Sequence, residues 1–354
     1  MRQVLVRIPW EGIPWGNGHI PLFGVGVLLV VWILFGVLAL RSMAKVAGRW
    51  TWPDPMSAIV WTVVAAAIVQ APQFGPRMAP QGIPIFGYGF MLLLALSSAI
   101  ILAEVRARKA GFAPDMIMDL ATALFIPGII GARLFYLIQH GDKVFAGKQG
   151  PVELLFAAIN LSEGGLVLYG GVIAGAVAYF VFCAVKKLPP LGIADVITPS
   201  ICLGVGFGRI GCLLNGCCFG DRCELPWGIV FPHASVPFFA LVQRGFLSPD
   251  ALATPPLHPT QIYSAIDGFL TCALAVWYTR YRRVPGDVFG LALLIAPATR
   301  FLIEFLRGDE YGQLGTSLTI AQWISMGLFA CGLGLQVYLA RAAANTPKLQ
   351  PVLS

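Results

Sequence analysis

Charge is scarce in this sequence. Only 12% of its 354 residues are Asp, Glu, Lys or Arg and 57% are hydrophobic, whereas a soluble globular domain has about 25% charged residues. This deficit excludes an ordinary soluble domain. The net charge of +7 does not indicate nucleic-acid binding, because Lys and Arg in a membrane protein mainly set its orientation.

The chain also lacks a repeat of fixed period and a low-complexity tract. Its first 20 residues contain Pro9, Glu11, Pro14 and His19 before any apolar run, so we expect no cleavable signal peptide. These absences leave the long apolar runs as the main structural signal.

Nine apolar runs dominate the chain, most of them near the roughly 20 residues with which an α-helix crosses a bilayer. They predict an all-α fold, a polytopic bundle of transmembrane helices. The run at 57–72 is the weakest because it is short and ends in QAPQFGP, and a re-entrant segment is the alternative there. The runs are residues 22–40, 57–72, 85–105, 117–138, 164–184, 192–212, 260–279, 287–306 and 319–340.

The distribution of basic residues predicts the orientation of the bundle. With nine spans, thirteen Lys and Arg residues fall in loops on one side and eight on the other, and the tight clusters, such as Arg106, Arg108 and Lys109, all lie on the first side. Loops rich in Lys and Arg stay in the cytoplasm. We therefore expect the N-terminus outside, the C-terminus in the cytoplasm, and the longest outer loop at about 213–258.

Among the charged side chains within or at the ends of these runs, where ionisable residues are costly and usually mark a site, four arginines and one glutamate stand out. Arg300, Glu304 and Arg307 share one helical face, while Arg133 and Arg209 stand alone. One interpretation is structural, with an Arg300–Glu304 packing pair and two arginines that extend to the interface. The other is that several arginines at one membrane depth bind an anionic phospholipid headgroup, since a guanidinium donates two hydrogen bonds to phosphate.

Two further stretches add polar atoms at the same membrane level. Residues 162–175, SEGGLVLYGGVIAG, contain Tyr169 between two glycine pairs, which indicates either close helix packing or irregular turns. Residues 258–268, HPTQIYSAIDG, open the next span, with a proline suited to the first helical position. A histidine at a helix start is often only an interface residue, but here His258, Gln261 and Tyr263 are candidates for substrate contacts.

The eight cysteines fall into two groups. Cys183, Cys202, Cys272 and Cys331 lie in apolar runs and are best interpreted as small buried hydrophobic residues. The other four lie close together in the outer loop region, where disulfides persist. Disulfides, free thiols with a redox role and a metal site all remain open, although C-x4-CC-x4-C is not a usual zinc spacing. This second group consists of Cys212, Cys217, Cys218 and Cys223.

In order along the chain, the segments IFGYGFMLL, GARLFYL, EGGLVLYGG, GRIGCLLNGCCFG, HPTQIY and RFLIEFLR resemble the phosphatidylglycerol–prolipoprotein diacylglyceryl transferase family. The resemblance covers about residues 82–340 and implies seven transmembrane helices with a small extracytoplasmic head at 213–258. It leaves residues 1–81 as an extension with one or two extra spans and 343–354 as a cytoplasmic tail.

The resemblance implies an enzyme of the bacterial inner membrane that performs the first step of lipoprotein maturation. It would move the diacylglyceryl group of phosphatidylglycerol to the lipobox cysteine thiol of a preprolipoprotein, with release of glycerol 1-phosphate. No metal or organic cofactor and no nucleic acid are implied. The alternatives are a paralogue with another acceptor and a non-enzymatic lipid-binding or transport protein.

The resemblance also assigns site residues. Arg209 and Arg300 match the family's essential arginines and are expected at the phosphate, with Glu304 holding Arg300. The chain departs from the common pattern where Tyr169 replaces a histidine, Cys212 an asparagine, Cys217 a glutamate and Ala296 a tyrosine, so Tyr169 becomes the candidate base, although its pKa of about 10 suits the task less well. The remaining expected substrate-binding residues are Tyr88, Arg133, Gly211, Asn215, Gly220, His258, Gln261, Tyr263 and Arg307.

Overall fold

A computed structural model describes residues 3–15, 18–47, 55–113, 115–148, 150–160, 165–308, 312–313 and 315–344. The chain divides into two compact units, Met1–Phe90 and Met91–Ser354. The division predicted from the sequence, after residue 81, stays a prediction. The tail expected at 343–354 lies, apart from its first two residues, outside the described part.

The first unit contains two long helices and two small sheets. Strand β1 (Val4–Ile8) pairs antiparallel with β4 (Ile83–Phe86), and β2 (Ile13–Trp15) pairs with β3 (Gly18–Ile20). These strands were not predicted, because each is only three to five residues long and carries too little pattern to be recognised in an apolar sequence.

The two helices of this unit are α1 (Val27–Ala47) and α2 (Pro55–Met78). They pack through Trp32 and Trp61, whose ring centroids lie 4.0 Å apart. The run predicted at 57–72, for which a re-entrant segment was the alternative, belongs to one continuous 24-residue helix in the structure, with Pro72 and Pro76 inside it. The prolines and polar residues of QAPQFGP shortened the apparent run, but they do not end the helix.

The second unit contains most of α3 and all later elements. In chain order these are α3 (Gly87–Lys109), α4 (Met116–Val144), α5 (Pro151–Ile159), α6 (Leu168–Val185), α7 (Pro190–Asn215), α8 (Val236–Gln243), α9 (Thr260–Tyr278), a 3₁₀ turn (Thr279–Tyr281), α10 (Asp287–Glu304) and α11 (Ile320–Ala344).

The described residues form seven helices that are long and apolar enough to cross a membrane, namely α2, α3, α4, α6, α7, α9 with its 3₁₀ turn, and α11. The chain is thus a multi-pass helical membrane protein. Nine such spans were predicted. The other two runs also form helices: α1 contains a shorter apolar stretch, Val27–Leu38, and α10 carries Asp287, Arg300 and Glu304 within only 18 residues.

Glycines set the close packing of two helix pairs. A Cβ on Gly131 of α4 would collide with the carbonyl oxygen of Gly170 on α6, and a Cβ on Gly268 of α9 would lie 2.9 Å from the backbone nitrogen of Gly206 on α7. Side chains at these positions would push the backbones apart. The glycine pair after Tyr169 therefore serves close helix packing.

At the end of the bundle where α7 begins, a buried carboxylate joins three elements. Asp195 accepts the backbone N–H groups of Gly286 at 2.7 Å and Phe289 at 2.9 Å, and lies 3.6 Å from Arg282. Arg106 of α3 donates to the carbonyl oxygens of Asp195 and Val196. We call this the Asp195 end. The carboxylate satisfies N–H groups at the start of α10, which have no acceptor within their own helix.

Because one buried and one partly buried N–H group depend on its carboxylate, Asp195→Ala is expected to destabilise the protein. Each buried donor left without an acceptor costs about 1–3 kcal/mol, so the thermal unfolding midpoint in detergent should fall clearly. The matched control is Asp119→Ala, which removes an exposed ion pair with Lys186 worth about 0–1 kcal/mol. Equal midpoints for the two variants would contradict this role of Asp195.

Candidate functional site

Arg209 lies near the C-terminal end of α7, about one and a half turns before the helix stops. The helix ends at Gly216, whose φ of 85° is left-handed and whose N–H bonds to the carbonyl of Cys212, a common way to satisfy the last carbonyls. Arg209 is half-buried, and within the described residues no hydrogen bond or ion pair engages its guanidinium. A half-buried cation without an acid suits an anionic ligand.

Arg300 and Arg307 are held by one buried carboxylate at the end of α10. Glu304 Oε2 lies 2.6 Å from Arg300 Nη1 and 3.4 Å from Arg307 Nη1. Thr319 donates its hydroxyl to Glu304 Oε1 at 3.1 Å. The contact between Glu304 and Arg300 was expected from the sequence and is present. One buried carboxylate therefore pairs with both arginines.

The segment after α7 is tied through its backbone to the start of α9 and the end of α10. Gly220 donates its N–H to the carbonyl of His258 at 2.9 Å, His258 donates to Asp221 at 2.8 Å, and Asp221 donates to Leu306 at 2.8 Å. A Cβ on Gly220 would collide with His258 and with the Leu306 carbonyl, so only glycine permits this approach. We call this meeting point of α7, α9 and α10 the arginine end.

Two buried side chains of α9 also hold this segment. Thr260 donates its hydroxyl to the carbonyl of Cys218 at 2.7 Å, and Gln261 donates its amide to the carbonyl of Cys217 at 2.9 Å. Both side chains are almost fully buried. The Oε1 atom of Gln261 has no donor among the described residues and remains an acceptor. Gln261 thus fixes the backbone of the segment after α7, besides its expected substrate contact.

His258 and Tyr263 lie beside each other, with His258 Nδ1 3.4 Å from the Tyr263 hydroxyl. Trp227 of the head donates to the same hydroxyl at 2.7 Å. The head, predicted at 213–258, has a small apolar core of its own, built from Phe219, Phe231, Leu241 and Leu257.

Three of the four clustered cysteines come together. The sulfurs of Cys212, Cys217 and Cys218 lie within 4.8 Å of one another, and all three residues are half-buried. Hydrogen bonds from the Cys212 and Cys218 thiols lower the pKa of Cys217 below its ordinary value. Cys223 lies apart from this group, buried, with its N–H bonded to the Pro256 carbonyl at 2.8 Å. All four are free cysteines in the structure.

Arg133 of α4 is engaged by backbone carbonyls. It donates to Ala157 and Ala158, both at 2.8 Å, and to Gly165 at 3.0 Å. The first two carbonyls belong to the last turn of α5, where a cation is favourable. The side chain therefore fastens α5 and the chain before α6 to α4. Its expected contact with substrate stays a prediction.

The other predicted residues are more scattered. Tyr169 lies in the first turn of α6 and is 42% exposed; Tyr88 lies at the start of α3, in the first unit, and is 40% exposed. Gly211 is buried on α7, and Asn215 is its last helical residue. Residues 161–164, which begin the stretch around Tyr169, lie outside the described part.

Sequence reasoning missed Thr319 and Thr260. Thr319 precedes α11 in the segment TIAQ, and its hydroxyl accepts the N–H of Gln322 at 3.2 Å while Gln322 accepts the N–H of Thr319 at 3.0 Å. This is a capping box, which the spacing Thr-x-x-Gln signals. The sequence carried no comparable signal for the contact of Thr319 with Glu304, because that contact depends on how α10 and α11 pack.

Comparison with known proteins points in one direction. A family model described as prolipoprotein diacylglyceryl transferase matches residues 77–338. The phosphatidylglycerol–prolipoprotein diacylglyceryl transferase of Clostridium tetani is 36% identical over 257 residues, which cover 73% of this chain and 93% of that protein.

Two more relatives of the same name differ in how much of this chain they cover. That of Rhodopirellula baltica is 36% identical over 460 residues, covering 99% of this chain and 92% of its own. That of Bordetella avium is 30% identical over 289 residues, covering 79% and 100%. Since the family model matches well over half of the chain and spans every segment of the arginine end, the chain belongs to the prolipoprotein diacylglyceryl transferase family.

Proposed function

We propose that this protein transfers the diacylglyceryl group of phosphatidylglycerol to the thiol of the lipobox cysteine in a preprolipoprotein. A C–S bond forms, the C–O bond to the phosphate breaks, the thiol loses its proton, and glycerol 1-phosphate leaves. This is the first step of bacterial lipoprotein maturation. The family membership supports the reaction. The observation that assigns the reaction to a site is the half-buried Arg209, which has no acidic partner among the described residues.

The chemistry needs fixed positive charge where the phosphate departs. Arg209 supplies a guanidinium whose hydrogen bonds are not used within the described structure, and Arg300 supplies a second whose position is set by Glu304. Fixed donors of this kind stabilise developing charge without reorganisation. The backbone ties between the segment after α7, α9 and α10 hold both helix ends in place.

The acceptor thiol must become a thiolate, because the thiol is a poor nucleophile. Tyr169 is the residue of this chain that stands where the family usually has a histidine, and we propose it as the proton acceptor. The departures at Tyr169, Cys212 and Cys217 also favour a second candidate, a related enzyme that uses the same lipid site with another acceptor. The identity of the modified peptide separates the two.

We further propose an inner-membrane location with the arginine end and the 213–258 head outside the cytoplasm and the C-terminus inside. The distribution of Lys and Arg among the loops supports this orientation. It would place the arginines at the outer leaflet, where a phospholipid and a translocated preprolipoprotein can both reach them.

The proposed reaction is tested with purified protein in detergent, phosphatidylglycerol and a lipobox peptide, with mass spectrometry of the peptide cysteine. We expect a diacylglyceryl adduct, and a rate lowered on the order of 10²–10³-fold by Arg209→Gln, the usual effect of removing one such donor. Arg222→Gln, which changes an exposed arginine of the head, is the matched control and should retain the rate. Absence of any adduct from protein that still binds the lipid would overturn the proposal.

Glu304 is expected to act as a positioning residue. Glu304→Gln leaves Arg300 and Arg307 without their acid, so both the transfer rate and the thermal midpoint should fall, since breaking a buried pair costs about 3–5 kcal/mol. The double variant Arg300→Gln/Glu304→Gln should recover part of the midpoint and none of the rate. Recovery of the rate in the double variant would show that Arg300 does not act on the phosphate.

The role of Tyr169 is tested by the pH dependence of the transfer rate. A tyrosine base, with an ordinary pKa of about 10, is mostly protonated at neutral pH, so the rate should rise with pH; a histidine, with an ordinary pKa of about 6.5, is mostly deprotonated there. Tyr169→His should therefore retain activity and move the rise of the transfer rate to lower pH. Tyr169→Phe should abolish the transfer activity. A wild-type rate and pH profile in Tyr169→Phe would remove Tyr169 from the mechanism.

A further inference from the structure

The group formed by Cys212, Cys217 and Cys218 has no place in the proposed transfer reaction. Cys212 lies in the last turn of α7, and the chain reverses at Gly216 before it reaches the other two. Cys218 adopts a left-handed φ of 57°, which is uncommon for a residue other than glycine. This reversal is what brings three sulfurs within 4.8 Å of one another.

The distances suit a common ligand. Metal–thiolate bonds are about 2.3 Å long, so three sulfurs around one ion lie about 4 Å apart. The observed spacing requires only small side-chain rotations to reach that value. No histidine or carboxylate belongs to the group within the described residues, so the donor set is purely thiolate.

The backbone that carries two of these sulfurs is held from a neighbouring helix. Gln261 bonds to the carbonyl of Cys217 and Thr260 to the carbonyl of Cys218. Both donors are buried, so the main chain does not have to be ordered when an ion binds. Outer contacts of this kind, which orient ligand residues, typically matter 10–100-fold for metal affinity.

The cysteines of the apolar runs differ in burial: Cys202 is half-buried and Cys331 exposed, so the expectation of burial was wrong for these two. Cys183 and Cys272 are buried among apolar residues of the helices, as small hydrophobic residues usually are. Cys212, Cys217 and Cys218 are only half-buried and remain within reach of a solute.

We propose that Cys212, Cys217 and Cys218 form a three-thiolate site for one soft metal ion with a filled d shell. Thiolate ligands select Cu(I) and Zn(II). Cu(I) would be satisfied by the three sulfurs alone, whereas Zn(II) would take a further ligand, because its structural sites have four. Binding displaces whatever thiol protons remain. The site lies beyond the proposed transfer reaction, which uses no metal.

The test uses the full chain in detergent, reduced, stripped of metal and kept free of oxygen. Cu(I) is titrated in one arm and Zn(II) in the other, each against a chromophoric chelator. We expect one equivalent to bind in at least one arm, with X-ray absorption showing three sulfur ligands, and the two arms identify the ion. Cys212→Ser, Cys217→Ser and Cys218→Ser should each weaken the affinity at least tenfold.

Two control variants keep the outcome interpretable. Cys331→Ser changes an exposed cysteine of α11, and Cys223→Ser changes the fourth loop cysteine, which lies outside the group; both should bind metal like the unmodified protein. The proposal is overturned if neither ion binds at one equivalent, or if affinity is unchanged in Cys217→Ser. Because the readout is metal binding and not transfer, failure here is independent of the proposed function.

Discussion

A charged side chain at a membrane must find compensation, and this requirement places the arginines of the bundle. Arg133 finds it in the backbone carbonyls of α5 and Gly165. Arg300 and Arg307 share the carboxylate of Glu304. Among the described residues, Arg209 is hydrogen-bonded neither to backbone carbonyls nor to a carboxylate. In the proposed function an anionic headgroup of the bilayer compensates this charge, so the electrostatic rule that organises the fold also supports the proposed phospholipid site at Arg209.

The two ends of the bundle differ in how their charged side chains are paired. At the Asp195 end, each buried carboxylate is matched by an arginine and by backbone N–H groups: Asp195 faces Arg282, and Asp287 is held by Arg283 at 2.8 Å. The buried charges described at this end are therefore compensated by protein groups. At the arginine end, Arg300 and Arg307 share the buried carboxylate of Glu304, whereas Arg209 has no acidic partner among the described residues. In the proposed function, Arg209 therefore makes that end the one suited to a departing phosphate.

The sequence was sufficient for the long helices and for the Glu304–Arg300 pair, because apolar length and i, i+4 spacing are local properties, but it did not predict the short helices α5 and α8. It was not sufficient for Arg133, whose partners are carbonyls 24 and more residues away, or for Asp195, whose N–H donors are on another helix. Every residue carries a backbone carbonyl, so the sequence does not show which one will accept a hydrogen bond. The sequence could therefore identify charged residues in apolar runs as candidate site residues. It could not identify their partners, because these depend on tertiary packing.

The departures from the family pattern become understandable once the loop contacts are seen. The segment after α7 is attached through main-chain atoms: the carbonyls of Cys217 and Cys218 accept from α9, and the N–H groups of Gly220 and Asp221 donate outward. None of these attachments uses the side chain of Cys212 or Cys217. Their identity can therefore change from asparagine or glutamate to cysteine while the loop keeps Arg209 in place. Gly220, by contrast, is constrained by the loop's shape, because a Cβ there would collide with His258 and with the Leu306 carbonyl.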